Sequence, residues 1–279
     1  MEETEFFKKS SEYQLTASHI GVSCDNWLST TTTDFTKSKE TVFKLMKDNR
    51  FDILPSLKNE KCDYYISNEN WNVYELNKIS QNKIKPDHDC IYYLTHVKDL
   101  VRLFVQSNRN FFFLTNHTEI IGLITIGDLN NKFFYFYLYQ KLVDLERNLS
   151  GFLINELDIK IILLKVEELS KQNSDLGKWF MESNSRYNKD RANGTDSSIL
   201  EYLYLGQFIE LINSFKLFKK LGYKSIDDLR NGTKVLNEIR KTIAHPTRSI
   251  ISQKISILDL CNGMNKIDEL NKKLLNILD

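Results

Sequence analysis

The strongest constraint on this chain is a change of pattern at Asp128. Before it, short apolar runs alternate with helical stretches; after it, the strand signals vanish. Phe134, Leu138, Leu142, Leu145, Leu149 and Phe152 then recur three or four residues apart, the stripe of an amphipathic helix. A chain of 279 residues is long enough for two ordinary domains. The expected fold class is therefore α+β, with an α/β domain over 1–128 and an all-α helical bundle over 129–279.

In the first part, residues 1 to about 35 are polar, with a Thr30–Thr33 run, and predict an irregular lead-in plus one strand such as Ile20–Cys24. A pattern then appears twice. A helix over Glu40–Asn49 precedes strands Phe51–Leu57 and Cys62–Ser67 and a second helix near Trp71. A helix over Val97–Gln106 precedes strands Phe111–Leu114 and Glu119–Ile126, with a long helix starting at Asp128. This is a small α/β unit in tandem.

In the second part, a helix from Glu156 to about Ser170 follows Gly151, where the preceding run is expected to bend or divide. Lys171–Ser198 is polar, contains an Asn193-Gly194 turn, and reads as a long loop. Asp196 or Ser197 is expected to cap a helix running to Gly222. Ser225-x-x-Asp228 resembles a capping box, and Asn231-Gly232 reads as a turn before a helix carrying Leu236, Ile239 and Ile243. A last helix aligns Leu260, Met264, Ile267, Leu274 and Leu278.

Composition narrows the classes of function. The 17 Phe, 13 Tyr and 3 Trp argue against disorder. Four cysteines stand singly without Cys-x-x-Cys or a framework spacing, and no run approaches ~18 apolar residues, which predicts a cytoplasmic chain with reduced thiols and no membrane partner. His19, His88, His96 and His117 lack ligand spacing, so no metal is expected. There is no phosphate-loop signature and no Gly-x-Ser-x-Gly elbow. The formal net charge is +1, yet Lys216–Lys254 carries ten Lys or Arg against three acids, a local surface that attracts a polyanion.

Gly122-Leu123-Ile124-Thr125-Ile126-Gly127-Asp128 is a strand running out into a helix start, where unpaired N–H groups suit a phosphate. Thr125 adds a hydroxyl donor, and Asp128 can accept the hydroxyls of a ribose. This run resembles the second strand of the cystathionine-β-synthase (CBS) domain, which ends in Gly-apolar-apolar-Thr/Ser-x-x-Asp. Phe51-Asp52-Ile53-Leu54-Pro55 looks like that family's first core strand. The resemblance implies that Thr125 contacts the phosphate and Asp128 the ribose of an adenine nucleotide. The first copy, Tyr64-Tyr65-Ile66-Ser67-Asn68-Glu69-Asn70, departs with Tyr for Gly and Asn for Asp. Ser67 and Asn70 are thus the weaker counterparts of Thr125 and Asp128, and plain helix capping by Asp128 remains compatible with either role.

In the second part, Arg240-Lys241-Thr242-Ile243-Ala244-His245-Pro246 ends an apolar-striped helix. Arg supplies a permanent planar cation and His a proton near neutral pH. Pro246 predicts that the helix ends or kinks beside the histidine. On a straight helix the two side chains stand ~140° apart, so a kink or a second copy must bring them together. Leu236 to Pro246, in an all-helical domain, resembles the motif of the HEPN (higher eukaryote and prokaryote nucleotide-binding) superfamily, Arg followed four to six residues later by His. Its ribonuclease members act without metal, usually as dimers. The resemblance implies that Arg240 stabilises the charged phosphorane while His245 acts as general acid or base in 2′-hydroxyl attack, leaving a 2′,3′-cyclic phosphate. Lys241, Asn237 and Glu146 are accessory candidates; Lys241 departs from the Asn, Asp or His often found after the Arg in nucleases.

The reading that joins both parts is a nucleotide-regulated, metal-independent endoribonuclease in stress or antiviral defence. It is expected to act as a homodimer on RNA, with an adenine nucleotide as regulatory ligand pressing on the helix that begins at Asp128. The alternative is a non-catalytic dimeric module that senses adenine nucleotides or binds RNA. A toxin silenced by a cognate antitoxin or nucleotidyltransferase is a third.

Overall fold

A computed structural model of the chain describes residues 14–69, 73–245 and 247–278. It divides into two compact units, one up to Phe134 and one from Tyr135 on. The first is mixed α and β, the second helical.

The first unit runs α1 (Ala17–Ile20), β1 (Val22–Ser23), β2 (Thr30–Thr31), α2 (Thr32–Lys37), α3 (Lys39–Asn49), β3 (Ile53–Lys58), β4 (Lys61–Asn68), β5 (Ile79–Lys83), α4 (Pro86–Asp89), β6 (Cys90–Tyr92), α5 (Val97–Ser107), β7 (Phe111–Thr115) and β8 (Ile120–Thr125). Two four-stranded sheets result, ordered β2-β3-β4-β5 and β1-β8-β7-β6. Their wiring is the same. β2 lies parallel to β3 as β6 does to β7, and each hairpin then takes one more antiparallel strand. In the first sheet that strand is β5; in the second it is β1, from the other end of the unit.

Even the registers agree. Ile53 faces Ser67 as Phe111 faces Thr125, and Ser56 faces Tyr64 as Leu114 faces Gly122. Tyr64 therefore occupies the place that Gly122 holds in the second copy.

β3 opens on the apolar run Ile53–Pro55 and β7 on Phe111–Leu114 because both faces are covered there. Leu54 and Ile66 pack with Val42 and Met46 of α3, while Ile53 packs with Phe111, Phe113 and Leu123 of the other sheet. At Gly122 a Cβ would stand 2.7 Å from the Val22 carbonyl oxygen, so β1 can pair there only with a glycine. Gly122→Ala is expected to loosen β1 and cost about 1–3 kcal/mol, read as a lower melting midpoint of this unit.

Three expectations need correction here. Ile20–Cys24 is not one strand: Thr16 opens a turn of helix that ends at Ile20, and the strand is Val22–Ser23, with the Cys24 N–H adding one bond to Ile121 O at 2.9 Å. The segment expected to start a helix near Trp71 falls partly outside the described residues, and a short 3₁₀ turn (Leu76–Lys78) leads instead into strand β5. Within β5 only Ile79 is buried, but Asn82 donates to Ser67 (2.9 Å) and Gln81 to Ser56 (3.0 Å), so side chains reinforce the backbone pairing of a polar edge strand with β4. The long helix does not start at Asp128. A 3₁₀ turn spans Ile126–Asn130, and Asn131 then caps a helix by accepting from the Phe133 N–H at 2.9 Å.

The second unit contains most of α6 (Lys132–Glu156), then α7 (Ile159–Ser170), α8 (Asp175–Ala192), α9 (Leu205–Ser214), α10 (Ile226–Ile243) and α11 (Ile257–Leu278). α6 passes straight through Gly151, and the break comes at Asp158, whose carboxylate caps α7. Most of the polar stretch expected as a loop is α8: Ser174 caps it, and Gly177, Phe180, Ser183 and Tyr187 form a buried face too small and polar to read as a stripe. The helix expected from Asp196 or Ser197 to Gly222 is shorter and broken, with a 3₁₀ turn Ile199–Tyr202, α9, and a further turn Leu217–Lys219. Ser225 does cap α10, accepting from the Asp228 N–H at 3.2 Å. Asn231-Gly232 is helical, not a turn: they lie within α10, whose buried face runs through Leu229, Thr233, Leu236 and Ile239, so tertiary packing overrides the local turn signal. Among the described residues no helix is long and apolar enough to cross a membrane.

Candidate functional site

In the first unit a cavity of about 710 Å³ collects the ends of both hairpins. Arg50, Phe51, Asp52 and Ile53 reach it from the α3–β3 junction, Asn110 from the equivalent α5–β7 junction, and Thr125, Ile126, Gly127 and Asp128 from the end of β8 and the turn after it. Asn26 and Trp27 close it further, with Trp27 set edge-on against Phe113 at 6.4 Å.

Thr125 and Asp128 meet here as a local pair. The Asp128 carboxylate accepts from the Thr125 N–H at 2.6 Å and from its hydroxyl at 2.8 Å, both through Oδ2. Oδ1 has no hydrogen-bond partner among the described residues. Capping and an open acceptor thus coexist on one side chain. Burial pushes the Asp128 carboxyl above its ordinary range, with the two Thr125 hydrogen bonds pulling the other way.

A raised carboxyl pKa favours the protonated form in the folded state. Its stabilising contribution is full below the ordinary value of about 3.9 and is lost as pH rises through the elevated one. Asp128→Asn keeps an oxygen for the Thr125 N–H and removes the charge. Its melting midpoint is expected at or above wild type at pH 7, with that advantage gone near pH 4.

The other nucleotide candidates lie elsewhere. Gly122 pairs with Ser23 and does not line the cavity. The Ser67 hydroxyl accepts from Asn82 within the first sheet. Asn70 lies outside the described residues. Arg50 was not foreseen. It ends α3 in the left-handed conformation (φ 56°), is exposed, and forms no ion pair among the described residues, so its guanidinium is uncommitted at the cavity. A helix ending directly before an apolar strand is the signal that could have found it.

In the helical unit Arg240 sits in the last turn of α10, with its side chain 28% exposed. Its guanidinium lies 4.0 Å from the Tyr204 ring centroid, and Nε is 3.4 Å from Glu146 Oε1. The same carboxylate oxygen accepts from the Leu205 N–H at 2.9 Å, which fixes the start of α9. Glu146 therefore fixes both the start of α9 and the direction of the Arg240 side chain. Nη1 and Nη2 have no hydrogen-bond partner among the described residues and are available to an anion.

Arg240, Lys241 and Asn237 line a cavity of about 420 Å³ together with Trp179, Tyr204, Lys234 and others. Lys241 pairs with Glu238 at 2.8 Å, and that hydrogen bond holds the Glu238 carboxyl below its ordinary range. His245 is not part of this cavity. α10 ends at Ile243, and His245 stands two residues beyond it in an exposed turn, its N–H donating to Thr242 O at 3.0 Å. Within one chain the structure thus brings Arg240 to Glu146 and Tyr204, not to His245. Pro246 itself lies outside the described residues. Among the described residues no group of three His, Cys, Asp or Glu is placed to hold a metal ion.

No family model matches the chain, and no curated protein matches it. Among solved structures it is similar to the hexameric CBS-CP12 protein of bloom-forming cyanobacteria, at 13% identity and a TM-score of 0.29, over 52% of this chain and 86% of that one.

Proposed function

We propose that this chain is a nucleotide-responsive protein whose helical unit cleaves RNA without a metal ion. The adenine nucleotide occupies the first-unit cavity, its ribose on Asp128 Oδ1, its phosphates toward Arg50 and the Thr125 turn. The observation that supports this best is that cavity: an open carboxylate oxygen and an uncommitted guanidinium at the junction of two hairpins of matching register. Arg240 supplies the phosphorane contact, and His245, from the same or a second copy, the proton transfer. The RNA cleaved would carry 2′,3′-cyclic phosphate ends.

One observation favours a second reading, a non-catalytic sensor or RNA-binding module: Arg240 is tied to Glu146 and Tyr204 while His245 lies outside their cavity. The deciding experiment pairs mass spectrometry of nucleotide released from the denatured full chain with RNA cleavage in EDTA, with and without ATP or AMP. Cleavage lost in His245→Ala supports the enzyme. Retained nucleotide with no product ends supports the sensor, and neither nucleotide nor cleavage removes both.

A further inference from the structure

The cavity beside Arg240 carries more than a phosphate contact. Trp179, on α8, is 52% exposed although its backbone is fixed, its carbonyl accepting from Gln207 Nε2 at 3.0 Å. Its ring lines the open cavity and leaves about half of its surface accessible there. The Asn237 side chain, half-buried in the same cavity, makes no hydrogen bond among the described residues. Gly206 holds the two groups around one gap: a Cβ there would stand 3.9 Å from the Trp179 ring and 3.5 Å from Asn237 Oδ1. An indole face, a free amide with donor and acceptor, and the unpaired nitrogens of Arg240 are the groups that recognise a base attached to a phosphate.

We infer that this cavity holds a single nucleobase, stacked on Trp179 and read at its edge by Asn237, with the attached phosphate on Arg240 and Lys234. A cavity of about 420 Å³ accommodates one nucleotide unit, not a duplex. Lys241 is largely offset by Glu238 and contributes less. The inference rests on the RNA-cleaving reading only for where the base comes from, a strand or a free nucleotide.

The test measures binding of the full-length protein to a short 2′-deoxy-substituted single strand, which cannot undergo 2′-hydroxyl attack, and to AMP and UMP. Trp179→Ala and Gly206→Leu are each expected to weaken strand binding about ten-fold or more, the second by filling the gap without removing a charge or an aromatic ring. Asn237→Ala is expected to change the preference between bases. Strand binding through Trp179, with the all-ribose strand left intact, keeps the base site and removes the nuclease. Mononucleotide binding that depends on Trp179, without strand binding, keeps the site and assigns it to free nucleotides. Binding that survives both Trp179→Ala and Gly206→Leu, or no binding to wild type, overturns the inference.

Discussion

Arg240→Ala is expected to reduce RNA cleavage by ~10²–10³-fold while leaving the protein folded, measured as initial rates in EDTA beside a melting curve. The size follows from the role proposed for Arg240. Its position is set by the Tyr204 ring and the Glu146 carboxylate, so its outer nitrogens are directed without any rearrangement when charge develops on a phosphorane. Truncation removes a cation–π contact worth about 0.5–1 kcal/mol at a partly exposed site, too little to unfold a helix packed through Leu229, Leu236 and Ile239. Arg240→Lys is not expected to rescue the rate, because an ammonium neither stacks on Tyr204 in the same way nor presents paired donors. Glu146→Gln should fall between, since the Leu205 N–H keeps an acceptor while the guanidinium loses its charged anchor. Unchanged cleavage in Arg240→Ala would take this residue out of the mechanism.

The second large effect concerns the first unit. Saturation with an adenine nucleotide at one hundred times its Kd is expected to stabilise that unit by about 2.7 kcal/mol, seen as an upward shift of its melting transition by several degrees. Asp128→Ala and Arg50→Ala should each abolish most of the shift, the first by removing the ribose acceptor and the second by removing the uncommitted cation. Ser67→Ala should leave it in place, because the Ser67 hydroxyl is occupied within the first sheet. A shift that persists in both cavity variants would place the ligand elsewhere.

Much of the fold was legible in the residues, and the places where it was not share a cause. β3 and β7 announced themselves because each is buried on two faces, and Ser225 was legible as a cap because a cap is a local event, although the helix it opens was expected only after Asn231-Gly232. α8 stayed hidden because its buried face uses Gly177 and Ser183 beside only two aromatics, so the stripe carries little apolar signal. β5 was hidden because side-chain amides do for it what apolar residues do elsewhere.

The sites obey the same rule. Thr125 and Asp128 could be paired because they are three residues apart and close a turn on each other. The pairing of Arg240 with Glu146 and Tyr204 depends on how three helices pack, and helical spacing alone cannot show it. Arg50 reaches its cavity through a left-handed cap that nothing in the residue type advertises.

The order in which the strands are synthesised gives the two sheets different histories. The first sheet has all its strands once Lys83 has left the ribosome, and none of its partners is far away in the chain. The second must wait for Leu123 before Val22, made about a hundred residues earlier, has anything to pair with. Val22 and Ser23 thus stay an unclaimed edge segment while about a hundred further residues are made, and the later hairpin is the last piece of its unit to close. A slow codon stretch placed between Lys83 and Ile120 would lengthen that wait and spare the earlier half.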